Sequence, residues 1–424
     1  MLRGKKEPRE EREFSMAHQQ NRRDFIRRAG TGLAFGALTT GLRPFIFGQD
    51  NPAAAAKPAP GFEIISYGQV SAQKDIFYGW PTIAKTKDEE LLVVASARED
   101  HVDPFGRVFL FRSHDKGETW TWPQCVFDGP LDDRDAGILV TKRGTLLVTT
   151  FSMDGGSHMI KAQQERLAKG VEPEPGEFAI TGERYERWLA ADSMATPEQR
   201  ERELNRCWML RSTDEGMSWS RRYDCQVSSP HGPFQLRNGR ILFPGRDHSP
   251  KPYIRVVESS DDGKNWHWLS DIPIRPGDSA ADYHELHGVQ AADGRLVVQI
   301  RNHSVQDTYD TLQTESFDGG RSWTVPHTTG VWGYPSHLIS LQDGRLLMTY
   351  SYRRDPVSER ACVSEDYGQT WSEPITLWHI DDMGHDFGYP ASVQLNDGTI
   401  QTVWYEVIKG TWIAVIRQAH WRLV

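Results

Sequence analysis

An eight-residue pattern, S-x-D-x-G-x-x-W, occurs five times in this chain: Ser113 to Trp120, Ser212 to Trp219, Ser259 to Trp266, Ser316 to Trp323 and Ser364 to Trp371. A pattern that recurs at intervals along a chain means one supersecondary unit stacked on copies of itself, so the repeat decides the architecture before composition does. Within each copy the Asp folds over its own backbone amides, the Gly takes a positive φ, and the Trp seals the turn against the sheet. Each copy is therefore expected at the tip of a β-hairpin.

A second element alternates with the first: a tight turn followed by an apolar strand. Its copies centre on Glu89, Gly144, Gly239, Gly294, Gly344 and Gly398, most of them Asn-Gly or Asp-Gly turns. From the third turn onward the steps are 55, 50 and 54 residues. Six units of four strands at this spacing predict an all-β fold, a six-bladed β-propeller over residues 61–424. The sixth unit lacks the eight-residue pattern, and Phe62 to Ser66 is expected to supply its fourth strand and close the ring. The step from Gly144 to Gly239 is 95 residues, which leaves a partly helical insert at about 157–205 in blade two. Thr196-Pro197 reads there as an N-cap with Pro at the first helical position. Both repeated turns lie at one end of every blade, so the insert lies at the opposite end, as a lid over that face or as a surface elaboration.

The first 50 residues differ in kind. Arg22-Arg23-Asp24-Phe25-Ile26 precedes an uncharged stretch from Ala29 to Leu42, which resembles a twin-arginine export signal over 1–48. An Ala/Pro-rich linker follows at 49–60. Export to a periplasmic or extracellular setting permits a disulfide, and Cys207 and Cys225 could face each other across a hairpin, although sequence does not fix the pairing. The formal net charge is −9, and ten of the basic residues sit in the first 50 positions. An acidic body argues against a nucleic-acid partner, which needs a basic footprint. No apolar run reaches the roughly 18 to 20 residues that span a bilayer, so no stable membrane insertion is expected after signal removal.

The repeat also supplies a coordinate system for the site. Nine residues before each turn centre, at the mouth end of the innermost strands, stand Trp80, Asp135, Pro230, Glu285, Pro335 and Tyr389. Where the second strands return to the mouth stand Arg98, Arg246 with His248, Arg301 with His303, Arg353, and Tyr405 with Glu406. A structural repeat has no reason to aim such costly polar groups at one place, so a ligand site at the mouth is expected.

With these mouth residues, the five boxes resemble the sialidase (neuraminidase) superfamily over residues 62–424, and the hairpins then correspond to its Asp-boxes. In that superfamily a Glu lies sixteen residues before an Arg across one Asp-Gly turn, and Glu285 and Arg301 stand in that relation. The nucleophilic Tyr, nine residues before the last turn Gly, is matched by Tyr389. The acid/base Asp of the blade-one loop is matched by Asp103, and a further carboxylate-binding Arg by Arg353 or Arg354. The repeat positions add Arg98, Arg246 and Trp80 as candidate substrate contacts, Trp80 as a sugar-stacking platform or as wedge packing, and the resemblance implies that Asp135 contacts a ring substituent. One position departs: the superfamily's first clamp Arg is replaced by Gly79 in Tyr78-Gly79-Trp80-Pro81, with Arg246 or Arg134 as candidates to compensate.

What the resemblance implies is an exported retaining exo-glycosidase acting on a terminal sialic acid or related acidic sugar, with no cofactor and no metal. Tyr is the nucleophile because a carboxylate would be repelled by the substrate's own carboxylate at the anomeric carbon. Two rivals remain. Several histidines, His231, His248, His284, His287, His303, His337 and His385, fall near the mouth; residues from different blades could bind a metal, or serve with Tyr389 in a polysaccharide lyase acting on uronic-acid glycans. A non-catalytic glycan-binding propeller is the other.

Overall fold

The computed structural model describes residues 57–172, 179–249, 251–380 and 383–424, so the export signal expected at 1–48 and most of the linker at 49–60 lie outside the described residues. Six four-stranded antiparallel sheets follow one another around a ring. Blade one comprises Phe77–Lys85, Leu91–Arg98, Arg107–Ser113 and Gln124–Asp128; blade two comprises Asp132–Val140, Leu146–Met153, Arg206–Ser212 and Tyr223–Asp224. Blades three, four and five begin at Phe234–Gln235, Tyr283–Gln290 and Ser336–Ser340, and blade six at Met383–Gln394. The ring closes as the sequence implies. Phe62–Gln69 pairs with Ala414–Leu423 as the outer strand of blade six, tying the start of the propeller to its end.

The eight-residue boxes fold alike. In each, the Ser hydroxyl accepts the Gly N–H, at 2.8 Å in four boxes and 2.9 Å at Gly263, and donates to the box Asp. The Asp in turn accepts the backbone N–H four residues on, as Asp115 does from Thr119 at 2.9 Å. The Gly φ values of 81° to 91° require a residue without a Cβ.

The Trp of each box does more than seal its own turn. Alternate residues of each strand face opposite neighbours, so the apolar core is divided into six wedges, each between two blades. Each of five wedges takes one box Trp from the later blade: Trp120, Trp219, Trp266, Trp323 and Trp371. Trp371 donates to Gln313 of blade four at 3.1 Å, and Trp120 to Gln418 of blade six at 3.1 Å. Blade six has no box, and fully buried Trp421 fills the sixth wedge instead.

The insert is helical, with α1 (Ser157–Lys169), α2 (Gly182–Met194) and α3 (Pro197–Glu203). Thr196 and Gln199 form a reciprocal capping box at the start of α3. Ile160, Ile180, Tyr185 and Trp188 make a small core of their own, against Phe105 of the blade-one mouth loop. The same loop is gripped by charge: Arg184 pairs with Asp100 and Arg187 with Glu99, both at 2.6 Å. Cys207 and Cys225 do face each other across adjacent strands, the Cys225 N–H donating to the Cys207 carbonyl at 3.0 Å, and both thiols are free. No helix among the described residues is long and apolar enough to cross a membrane.

Candidate active site at the propeller axis

The position nine residues before each turn centre is where the innermost strands leave regular pairing. The ladders of blades one, two, four and six each slip there, leaving Trp80, Asp135, Glu285 and Tyr389 as unpaired bulge residues. Trp80, Asp135 and Tyr389 hold left-handed backbones, at φ 55°, 51° and 57°. A bulge re-aims one side chain without unmaking the sheet, and left-handed non-glycine residues concentrate where function keeps the strain. The remaining two positions are Pro230 and Pro335, which have no N–H to give a ladder.

Three of the expected residues come together. Tyr389 donates its phenolic hydrogen to Glu285 in a short bond. Arg301 Nη1 donates to both Glu285 oxygens, at 2.9 and 2.7 Å, and to the Tyr389 hydroxyl at 3.2 Å. Burial, reinforced by the Glu285 charge, pushes the Tyr389 phenol well above its ordinary value, so it rests neutral with a base already in contact. Arg353 joins this group: it donates to the Phe387 carbonyl at 2.5 Å, and its guanidinium lies 5.1 Å from the Tyr334 ring, against which Arg301 also lies at 4.4 Å.

Other expected residues are placed differently. Asp103 is fully buried, and its carboxylate accepts the backbone N–H groups of Glu99, Asp100 and Phe105, each at 2.6 Å. It shapes the blade-one loop, and both of its oxygens are taken by backbone donors. Arg98 is buried in an ion pair with Asp132 at 2.8 Å and donates to the Asp133 carbonyl, so it is no clamp. Arg354 is exposed and stacks on Trp332 at 3.8 Å, leaving Arg353 as the inward member of that pair. Trp80 is only 2% exposed; it packs against Tyr389 and carries Arg98 and Arg134 over its ring at 4.9 and 4.7 Å. That makes it a wedge under the site rather than a stacking platform. Gly79 cannot be restored to Arg without movement, since a Cβ there would meet the Phe77 ring at 2.8 Å.

The histidines are largely committed. Arg246 donates to His284 Nδ1 at 3.0 Å and Arg301 to His303 Nε2 at 2.9 Å, with the two rings 4.3 Å apart. An Arg only donates, so each imidazole presents a lone pair to it and is neutral. Burial, then the two guanidinium groups, lower His303 to about 3. His231, His287 and His337 cluster together, with the His231 ring 6.3 Å from that of Tyr389. Among the described residues no group of three or more His, Cys, Asp or Glu is arranged to hold a metal ion; the side chain of His385 lies outside the described residues.

Two features of the mouth were not singled out from sequence. Tyr334 stands between Arg301 and Arg353, and the Tyr next to an inner-position Pro335 was the available signal. The other is the pair His101 and Asp386: His101 Nδ1 bonds Asp386 at 2.6 Å, and the hydroxyl of Tyr405, which the repeat did place at the mouth, donates to the same carboxylate at 2.7 Å. Although burial opposes its charge, His101 and Tyr405 hold the Asp386 carboxyl well below the usual range.

Hairpins of this kind closing into a six-bladed ring are the architecture of the sialidase and BNR-repeat propellers, and that is the class of this protein. More particularly, residues 187–402 match the BNR repeat-like domain family, to which the chain belongs. Among solved structures, a protein of unknown function from Dyadobacter fermentans superposes with a TM-score of 0.67 at 21% identity, covering 86% of this chain and 100% of that one. A Hadza microbial sialidase gives 0.56 at 20% identity, over 81% of this chain and 65% of its own. A point mutant of the NanB sialidase from Streptococcus pneumoniae gives 0.60 at 14% identity, over 88% and 72%. At these identities the likeness is one of fold. No curated protein matches the sequence.

Proposed function

We propose that this protein is an exported retaining exo-glycosidase that hydrolyses a terminal sialic acid or related acidic sugar from a glycan. Tyr389 is its nucleophile and Glu285 the base that takes the phenolic proton. The observation that carries this reading is the Tyr389–Glu285 hydrogen bond with Arg301 donating to both partners. A neutral phenol approaches an anomeric carbon bearing a carboxylate where a carboxylate nucleophile would be repelled. Glu285 removes the proton as the bond forms, and Arg301 meets the negative charge that develops on the phenolate oxygen.

Arg301 and Arg353 form what remains of the carboxylate clamp. Arg353 Nε is buried with no hydrogen-bond partner among the described residues, a donor that an anionic group on the substrate would satisfy. The sialidase names of two structural neighbours support the choice of an acidic sugar. The twin Arg22-Arg23 and its uncharged sequel support export.

The test is a release assay on glycans ending in sialic acid, in other ulosonic acids and in uronic acids. A free reducing sugar of retained configuration is the expected product. Tyr389→Phe should lower turnover on the order of 10³-fold or more while binding persists; full activity in that variant would sink the mechanism. An unsaturated, ultraviolet-absorbing product would establish a lyase instead, and binding without release a lectin-like propeller.

A further inference from the structure

We propose that Asp135 of blade two is the acid and base of this reaction, protonating the leaving group and then activating water, in place of any residue of the blade-one loop. The proposal rests on the glycosidase reading above. Blades two, four and six contribute Asp135, Glu285 and Tyr389 from the same repeat position, each on a bulge. The three side chains interact: Asp135 feels the charge of Glu285, and Tyr389 feels that of Asp135.

Among the described residues, four neighbouring carboxylates are already occupied. Asp103 is saturated by three backbone N–H groups. Asp132 is paired with Arg98 and Arg134. Asp133 accepts from Ser152 at 2.7 Å and from the Gly129 N–H at 2.7 Å, and Asp386 holds His101 and Tyr405. Asp135 accepts no hydrogen bond among the described residues, and its Oδ1 is buried. An unsolvated carboxylate without donors is costly unless it is protonated or meets a ligand. Burial pushes this carboxyl up to about 6, against the pull of Arg134 and with a further push from Glu285; burial raises Asp103 to about 6 as well, so the missing donors and the bulge position are what distinguish Asp135. An acid poised there gives a proton in the first step and accepts one in the second.

The balance is simple. Tyr389 Oη bonds to the anomeric carbon as its proton passes to Glu285. The glycosidic C–O bond breaks, its electron pair stays on the leaving oxygen, and the Asp135 proton neutralises that oxygen. In the second half water attacks the anomeric carbon and loses a proton to the Asp135 carboxylate. The C–O bond to Tyr389 breaks, and the phenolate recovers its proton from Glu285.

Asn tolerates a left-handed backbone better than most residues, so Asp135→Asn is expected to fold; Asp135→Gly suits the same φ and is the second variant. The probes are sialyllactose, whose leaving group needs a proton, and 4-methylumbelliferyl sialoside, whose leaving group does not, or the same pair built on whichever acidic sugar the release assay identifies. For both variants kcat/KM on the first should fall about 100-fold or more, while the aryl substrate stays within about tenfold. The alkaline limb of the kcat/KM profile should disappear, and added azide should trap the glycosyl–Tyr389 intermediate as a glycosyl azide. Unchanged or equal effects on the two substrates would overturn the assignment, as would this same pattern appearing in Asp103→Asn. A wild-type protein inactive on both probes overturns the glycosidase reading and this inference with it; an active wild type with Tyr389→Phe inactive on both keeps that reading and isolates the assignment of Asp135.

Discussion

Gly388 sets the orientation of Tyr389 from one residue away. Its φ is 125°, outside the range of L side chains, and an added Cβ would meet Ser351 Oγ at 2.6 Å and Arg353 Nη2 at 2.8 Å. Gly388→Ala should therefore disturb the nucleophile and one clamp arginine together. A displacement near 1 Å at a reacting group costs about 100-fold in rate, so kcat/KM should fall by that order while the circular dichroism spectrum is kept. Asp103 and Asp135 are expected to separate by stability. Asp103→Ala leaves three backbone N–H groups without their acceptor, a loss of about 1–3 kcal/mol. Asp135→Asn replaces a buried carboxyl that has no donors and should hold or raise the melting temperature. Thermal denaturation of both variants side by side checks the contrast, and a larger loss at Asp135 would contradict the geometry described.

At the scale of elements, what was legible in the sequence is whatever the ladder counts. Glu285 and Arg301 lie on adjacent strands joined by a tight turn, so their separation in sequence fixes their meeting in space, and the structure joins them. The box hairpins were legible for the same reason, and so was closure by the strand that begins at Phe62. Where the chain leaves the ladder, counting fails. Asp103 lies in a loop whose shape depends on its own side chain binding three amides. The direction of Trp80 depends on a bulge; Pro81 marks the break in the ladder but does not say which way the side chain before it turns. The inner strand of blade three shrinks to Phe234–Gln235 after Pro230 and left-handed Gly232, so its repeat position carries no side chain into the site. The box Trp was read as a seal on its own turn, yet Trp371 lies between two blades, 4% exposed. Trp371→Ala should then cost about 3–5 kcal/mol. Ser364→Ala, which leaves the Gly368 N–H without its acceptor, should cost about 1–3 kcal/mol. Urea denaturation gives both numbers, and a smaller loss at Trp371 than at Ser364 would refute the inter-blade role.

For the whole molecule, the question is what holds six wedges in a ring around a channel. Part of the answer lies in His231, His287 and His337, on three successive blades. His287 Nδ1 accepts the Leu338 N–H of blade five at 3.0 Å, and His337 Nδ1 accepts the Ser392 N–H of blade six at 3.3 Å. His287 and His337 thus each fasten their blade to the next by an acceptor lone pair, and protonation would remove that lone pair while adding charge. Burial lowers His287 to about 3 and holds His231 and His337 well below their ordinary value, with charge on neighbouring imidazoles as the second cause. Because these folded values lie below the unfolded value near 6.5, the contribution is complete above about pH 6.5. It is lost as pH falls, since the unfolded chain takes protons that the folded chain refuses. At pH 5 the loss from His287 alone is about 2 kcal/mol. The melting temperature should therefore drop between pH 7 and 5. His287→Asn, which keeps an acceptor for the Leu338 N–H but cannot be protonated, should show a shallower fall. Parallel curves for the two proteins would mean that the acid sensitivity of the ring lies elsewhere.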